Sequence, residues 1–222
     1  MNELWSAEFL PFWIFVFFSL LILALTFIFG PKLQRKRSEL LLRHFQGKFI
    51  YPGGTLEIPY AGALFRIMRL ARGAGTYNSV GGSFPTLWTY TTQSPKFIIG
   101  NAQSGKYTYG NFLILPPHET VTAGSFSFLV GSESPELKEQ IKTLLMESPD
   151  LSRRLSQLFE KEFGHLTLST ENHLKNFSIQ RKPVLRYMTL PEEIYQQPAK
   201  LEPILKTITD FVEKLGISFD PS

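Results

Sequence analysis

The sequence predicts an α+β protein that begins with a single transmembrane helix. Residues 9–30 contain no charged side chain. Residues 47–131 hold 13 of the 16 glycines between short aromatic and β-branched runs, which is typical of strands joined by turns. Residues 132–222 carry repeated helix-start signals followed by apolar residues at helical spacing. We therefore expect an N-terminal transmembrane helix, a β-rich half (47–131) and a mixed half (132–222) with about three amphipathic helices.

The apolar segment, residues 9–30, has the length of a membrane span. Its 22 residues would extend about 33 Å as a helix, and the hydrocarbon core of a bilayer is about 30 Å thick. A cleaved signal peptide is disfavoured, because the N-terminus is acidic and no small-residue cleavage site follows. A buried core helix is the alternative, but this segment is apolar on every face. The sequence thus predicts an uncleaved anchor.

All basic residues near this segment lie on its C-terminal side. They are Lys32, Arg35, Lys36, Arg37 and Arg43. The positive-inside rule then places residues 1–8 outside the cell membrane and the 47–222 domain in the cytoplasm, as a single-pass protein. Residues 31–46 are a basic juxtamembrane linker in this prediction. We expect this linker to set the orientation and to attract anionic lipid headgroups, with a specific lipid site as the alternative.

Six short runs in the β-rich half predict strands. They are GKFIY, TLEIPY, TLWTYTT, KFII, NFLIL and VTAGSFSFLV. A further run, ALFRIMRLARG, is ambiguous, because Leu64, Ile67, Met68 and Ala71 follow a helical spacing. The glycine-rich flanks and the neighbouring strands favour a strand there.

The mixed half begins with two similar helix starts. Ser134 and Ser148 each precede a proline and an acidic residue, which is the pattern of an N-cap followed by a first helical turn. Leucines and other apolar residues then recur at helical spacing after each start. Two adjacent amphipathic helices are therefore predicted, the second ending near Gly164.

The rest of the mixed half predicts a hairpin, a strand and more helix. The hairpin turns around residues 170–172, and the strand covers the run PVLRYM. Thr189 and Glu192 have the spacing of a capping box and predict a short helix. A last amphipathic helix is expected to start near Pro203 and to stop at Gly216.

The composition excludes several chemistries. Without cysteine there are no disulfides, thiolate metal sites or cysteine nucleophiles. The three aspartates all lie in the last third of the chain, and the four histidines stand singly without a ligand spacing. No Gly-x-Ser-x-Gly elbow occurs. We therefore expect no catalytic residue, no metal and no cofactor, and an enzyme is not favoured.

Residues 100–106 match the spacing of a phosphate-binding P-loop. Gly100, Gly105 and Lys106 occupy its fixed positions, but Tyr107 stands where a serine or threonine would bind Mg²⁺. The residues that follow are strand formers, whereas a P-loop leads into a helix. A hairpin loop is therefore favoured, with KFII and the segment after Gly105 as antiparallel neighbours. A nucleotide-binding loop at these positions is the alternative.

Three arginines, Arg66, Arg69 and Arg72, form a second basic feature. Their spacing favours a solvated face or one turned towards an anionic membrane surface. Contact with a phosphate-bearing ligand is the second interpretation.

These observations favour a single-pass membrane-anchored protein whose cytoplasmic domain has an interaction or assembly role. The expected partners are the lipid bilayer and another membrane or cytoplasmic protein. The net charge of +4 arises from two local excesses of basic residues, so nucleic acid is not an expected partner. The alternative is a membrane-tethered nucleotide- or phosphate-ligand-binding protein, or an enzyme, that uses the loop from Gly100 to Lys106.

Overall fold

Nine antiparallel strands form a single sheet in the described part of the chain. The computed structural model describes residues 10–50, 54–71, 83–93, 96–103, 118–160, 164–169, 183–188 and 190–221. The strands are β1 (Lys48–Ile50), β2 (Thr55–Tyr60), β3 (Ala63–Ala71), β4 (Ser83–Tyr90), β5 (Phe97–Asn101), β6 (His118–Ala123), β7 (Phe126–Ser132), β8 (His165–Ser169) and β9 (Val184–Met188).

Helices both precede the sheet and alternate with its later strands. The α-helices are α1 (Leu10–Arg37), α2 (Glu39–Phe45), α3 (Pro135–Glu147), α4 (Pro149–Phe159) and α5 (Glu202–Lys214). Two short 3₁₀ helices, Glu192–Tyr195 and Pro198–Lys200, lead into α5.

The strand order is β1-β2-β3-β4-β9-β8-β5-β7-β6. The first four strands form a meander, while β9 and β8 lie between β4 and β5 although they come last in the chain. The β-rich half and the mixed half, which the sequence predicts one after the other along the chain, are therefore not separate in space. Strands of both halves share one sheet, because the backbone N–H and C=O groups of β8 and β9 form hydrogen bonds with β5 and β4, respectively.

The predicted transmembrane helix over residues 9–30 is also wrong. Among the residues that the structure describes, no helix is both long and apolar enough to cross a membrane. The prediction ended the apolar span at Gly30 and began a basic linker at Pro31. Instead, α1 continues to Arg37 as one helix of 28 residues. Basic residues therefore occupy its last turn, and α2 follows directly.

The core lies between one face of the sheet and the helices. Alternate residues of each strand point to this face, among them Leu56, Ile67, Leu87 and Ile99, which are all almost fully buried. α3 packs on β7, and α4 packs on β5 and α5. Aromatic rings join the two layers, because Phe97 contacts Phe211, and Phe128 contacts Phe159, in edge-to-face pairs.

The last helix, α5, agrees with its predicted apolar face. Its buried residues include Ile204, Leu205, Ile208, Phe211 and Val212. Gly216 follows with a φ of 69°, in the left-handed region that lacks a steric penalty only for glycine.

Most predicted strands of the first half are present where the sequence placed them. β1 lies within the run GKFIY, and β2 is the run TLEIPY. β4 covers most of TLWTYTT and the residues just before it, and β5 covers most of KFII and the residues just after it. The ambiguous run at residues 63–71 is strand β3, because it pairs along its length with β2 and β4. NFLIL and the hairpin turn at 170–172 lie outside the described residues.

The run VTAGSFSFLV was predicted to be one strand, and this is wrong. It contains the turn of a hairpin between β6 and β7, in which Ala123 pairs with Phe126 across Gly124 and Ser125. Gly124 has a φ of 63°. Two-residue hairpin turns favour glycine at such a position, so the glycine that interrupts the run was the missed signal.

The strand KFII does not pair with the segment after Gly105. β5 is hydrogen-bonded to β7 on one edge and to β8 on the other. Since both edges of β5 are occupied, the expected hairpin around residues 100–106 is wrong in its strand pairing.

The two helix starts at Ser134 and Ser148 should differ in stability despite their similar sequences. The Ser134 hydroxyl accepts a hydrogen bond from the Leu137 N–H at 3.2 Å, whereas the Ser148 side chain makes no capping bond. We expect Ser134→Ala to lower the free energy of unfolding by about 1 kcal/mol and Ser148→Ala to lower it clearly less. Chemical denaturation of the two variants tests this, and equal losses would contradict it.

Candidate binding site on the sheet

The second face of the sheet, opposite the core, carries polar side chains across its centre. One residue of each strand forms a continuous row of cross-strand neighbours on this face. From β1 across the sheet to β6, the row is Lys48, Glu57, Arg66, Trp88, Arg186, Thr167, Ile98, Gly131 and His118. The middle of this row, together with Tyr90 of β4, defines a group that we call the arginine cluster: Glu57, Arg66, Trp88, Tyr90 and Arg186.

Arg66 lies at the centre of the arginine cluster. Its Nε donates a hydrogen bond to Glu57 Oε1 at 2.7 Å, and the side chains of Arg66 and Glu57 are only 14% and 19% exposed. Its guanidinium carbon lies 5.0 Å from the Trp88 ring centre and 5.1 Å from the Tyr90 ring centre. Arg66 therefore leans from β3 across β4, held by one ion pair and two cation–π contacts.

Two hydrogen-bond donors of the cluster have no acceptor. Arg66 Nη1 and Trp88 Nε1 are both buried and form no hydrogen bond. A buried N–H group without a partner costs free energy, so native structures rarely retain one. The two donors belong to adjacent residues of the same row.

Arg186 brings a second positive charge to the same face. Burial lowers the pKa of its guanidinium, and the nearby Tyr90 hydroxyl partly opposes this lowering. Arg186 has no carboxylate partner among the described residues. The cluster thus contains two guanidinium groups and one carboxylate, which gives it a net positive charge in partly desolvated surroundings.

The arrangement can recognise negative charge. Guanidinium and indole N–H groups only donate hydrogen bonds, so any ligand of these groups has to supply acceptors. Hydrogen bonds to an anion are stronger than neutral ones, and partial burial strengthens them further.

Of the three arginines singled out in the sequence, Arg66 belongs to the cluster. Arg69 lies in β3 opposite Pro85, with its side chain outside the described residues, and Arg72 lies wholly outside them. Sequence reasoning missed Arg186 and Trp88. A signal for Arg186 was present, because it is the one charged residue in the otherwise apolar strand VLRYM. Its proximity to Arg66 could not be inferred, since that depends on β9 pairing with β4.

The residues of the P-loop spacing are only partly described. Gly100 lies in β5, opposite Leu129 of β7 and His165 of β8. Asn101 ends β5, and its side-chain oxygen accepts a hydrogen bond from the Gln103 N–H at 2.9 Å. Gly105 and Lys106 lie outside the described residues, so nucleotide binding there stays a prediction.

The five basic residues predicted to form a membrane-surface contact belong to helices. Lys32, Arg35, Lys36 and Arg37 lie in α1, and Arg43 lies in α2. Arg37 pairs with Glu192 at 3.0 Å and lies over the Tyr195 ring, while Arg43 pairs with Glu39 within α2. Arg37 therefore connects the C-terminal end of α1 to the 3₁₀ helix Glu192–Tyr195.

The other end of α1 exposes large apolar side chains. Phe12, Ile14, Phe15, Phe17 and Phe18 are between 49% and 71% exposed. Consecutive residues of a helix point in different directions, so these side chains are apolar surface around most of the helix. Large exposed apolar patches are typical of protein–protein or membrane contact sites.

Other features of the described chain offer less chemistry. No group of three or more histidine, aspartate and glutamate side chains is placed to hold a metal ion within the described ranges. A shallow groove of about 420 Å³ lies between α4 and α5, lined in part by Arg154, Leu158 and Ile204. Arg154 is neutralised there by Asp150 and Asp210, at 3.0 and 2.7 Å.

Comparisons of this chain with protein-family models, with curated proteins and with solved structures find no match.

The two arginines of the cluster should affect stability in opposite directions. We expect Arg186→Met to raise the free energy of unfolding at neutral pH by about 1 kcal/mol, because it removes a partly buried charge that has no carboxylate partner. Arg66→Met should lower it by about 2 kcal/mol, because Glu57 then loses its ion pair. Urea denaturation of both variants beside the wild type measures this. A loss of stability in Arg186→Met would show that Arg186 has a structural partner.

Proposed function

We propose that this chain is a non-enzymatic interaction protein that joins a larger protein assembly through α1. The exposure of the apolar residues in the N-terminal half of α1 carries this proposal. Phe15 is 71% exposed and Phe17 is 63% exposed, whereas phenylalanines of the sheet domain are largely buried. Exposed aromatic side chains are costly in water, and a partner that covers them gains the corresponding hydrophobic free energy.

The C-terminal end of α1 supports this role because it is fixed to the sheet domain. Gln34 Nε2 donates a hydrogen bond to the carbonyl oxygen of Gly54 at 2.7 Å, ahead of β2. Arg37 forms its ion pair with Glu192 three residues later. Ser38, at the junction with α2, is fully buried. A helix held at one end in this way presents its free apolar half at a defined place on the domain.

The chemistry of the partner follows from the side chains of α1. Phe12 packs edge-to-face on Trp13, and Phe17 packs edge-to-face on Phe18. Such rings anchor interfaces because they bury a large area in few rotamers. Because apolar residues point in several directions around the helix, the partner surface has to enclose it, as a bundle of apolar helices does.

Site-specific photocrosslinking tests this proposal in the full-length chain. A benzophenone amino acid in place of Phe15 or Phe18 should yield the same protein adduct from native preparations. The same probe in place of Arg43, an exposed residue of α2, serves as the control and should not yield it.

A second variant tests whether the contact depends on apolar surface. Phe12→Asp, combined with the probe at Phe15, should strongly reduce the adduct, since burying a carboxylate in an apolar interface is unfavourable. Adducts with lipid alone, no adduct at all, or an equal adduct from the Arg43 position would each refute the proposal.

A further inference from the structure

We propose that the arginine cluster is an oxyanion-binding site, in which Arg66, Arg186 and the indole N–H of Trp88 together receive one phosphate or carboxylate group. This site involves only residues of the sheet, and it does not depend on the role of α1.

The register places the donors next to one another. Arg66, Trp88 and Arg186 are consecutive members of one cross-strand row. Arg66 and Arg186 are therefore two strand spacings apart at the backbone, about 10 Å. Arg66 covers part of this separation, because its guanidinium lies over the Trp88 and Tyr90 rings of the strand between them.

The unused donors define what the ligand has to provide. Arg66 Nε donates its hydrogen bond to Glu57, whereas Arg66 Nη1 is buried and has no acceptor. Trp88 Nε1 is likewise buried and has no hydrogen-bond acceptor. Neither group can accept a hydrogen bond, so neither a cation nor a group that only donates would satisfy them. An oxyanion has several acceptor oxygens, so that one group can offer an acceptor to each donor.

The charge of the cluster selects an anion over a neutral acceptor. Arg66 and Arg186 bring two positive charges to this face of the sheet, and Glu57 is the one carboxylate of the cluster. A bound oxyanion offsets the remaining positive charge and supplies hydrogen-bond acceptors at the same time. Phosphate esters and carboxylates share this chemistry, and both pair well with arginine.

Titration of the full-length chain, followed by the indole N–H signals in NMR, tests the site. The sequence contains three tryptophans, so three indole signals are expected, and Trp88→Phe identifies the one from Trp88. Inorganic phosphate, and separately acetate, should move the Trp88 signal in a saturable way in a buffer free of other oxyanions. A response to phosphate alone assigns the site to phosphoryl groups, and a response to acetate extends it to carboxylates.

Arg186→Gln is the decisive variant, because Arg186 has no carboxylate partner among the described residues and its loss should leave the fold intact. We expect it to weaken the binding of phosphate roughly tenfold or more, since it removes a charged hydrogen-bond donor. Arg153→Gln is the matched control, because Arg153 lies in α4, is 63% exposed and pairs with Asp150. It should bind phosphate as the wild type does.

Thermal unfolding with and without phosphate gives an independent measure. The wild type and Arg153→Gln should gain stability from phosphate, and Arg186→Gln should gain less. A Trp88 signal that does not respond to either anion, or that responds equally in Arg186→Gln, would overturn the site.

Discussion

The continuity of the sheet depends on the pairing of β9 with β4 and of β8 with β5. Without this pair, the described strands would form a four-stranded meander, β1 to β4, and a separate group of β5, β7 and β6. The pair joins them through Tyr187, which lies opposite Leu87 of β4 and Leu166 of β8. The hydroxyl of Tyr187 donates a hydrogen bond to the carbonyl oxygen of Leu158 in α4, and burial raises the pKa of this phenol. The Tyr187 side chain thus links β9, and with it the pair that joins the two strand groups, to the helical layer.

The same pairing creates the arginine cluster. Successive side chains of a strand point to opposite faces of the sheet. The register that buries Leu185 and Tyr187 in the core therefore also places Arg186 on the other face. Arg66 reaches that face by the same rule, between the buried Phe65 and Ile67. Core packing therefore places both charges on this face of the sheet, on the two strands that flank β4.

Local signals in the sequence predicted the positions of most helices and strands, but they did not predict the order of the strands in the sheet. Caps, glycines and apolar periodicity located α3, α4, α5 and several strands, because those features act over a few residues. The order of strands depends on contacts between distant segments, for which one sequence contains no direct mark. Arg66 was recognisable as a basic residue on a strand, but its neighbours Trp88 and Arg186 come from other strands, so the site as a whole was not predictable.

The transmembrane prediction was wrong for a related reason. Apolar composition shows that a segment avoids water, but the predicted span ended at Gly30 and the predicted linker began at Pro31. In the structure the helix passes through both, and the polar end of α1 packs against the domain through Gln34 and Arg37. Helix propensity is a weak prior, and tertiary contacts can override it.

The late position of β9 in the chain also has a consequence during synthesis. Trp88 and its neighbour Arg186 are 98 residues apart in the sequence. At translation rates of about 5–20 residues per second, β4 is made roughly 5–20 s before β9 can pair with it. During that interval the edge of β4 that will receive β9 has no native partner, and free strand edges promote association between chains. That edge of β4 therefore stays open until β9 has been made.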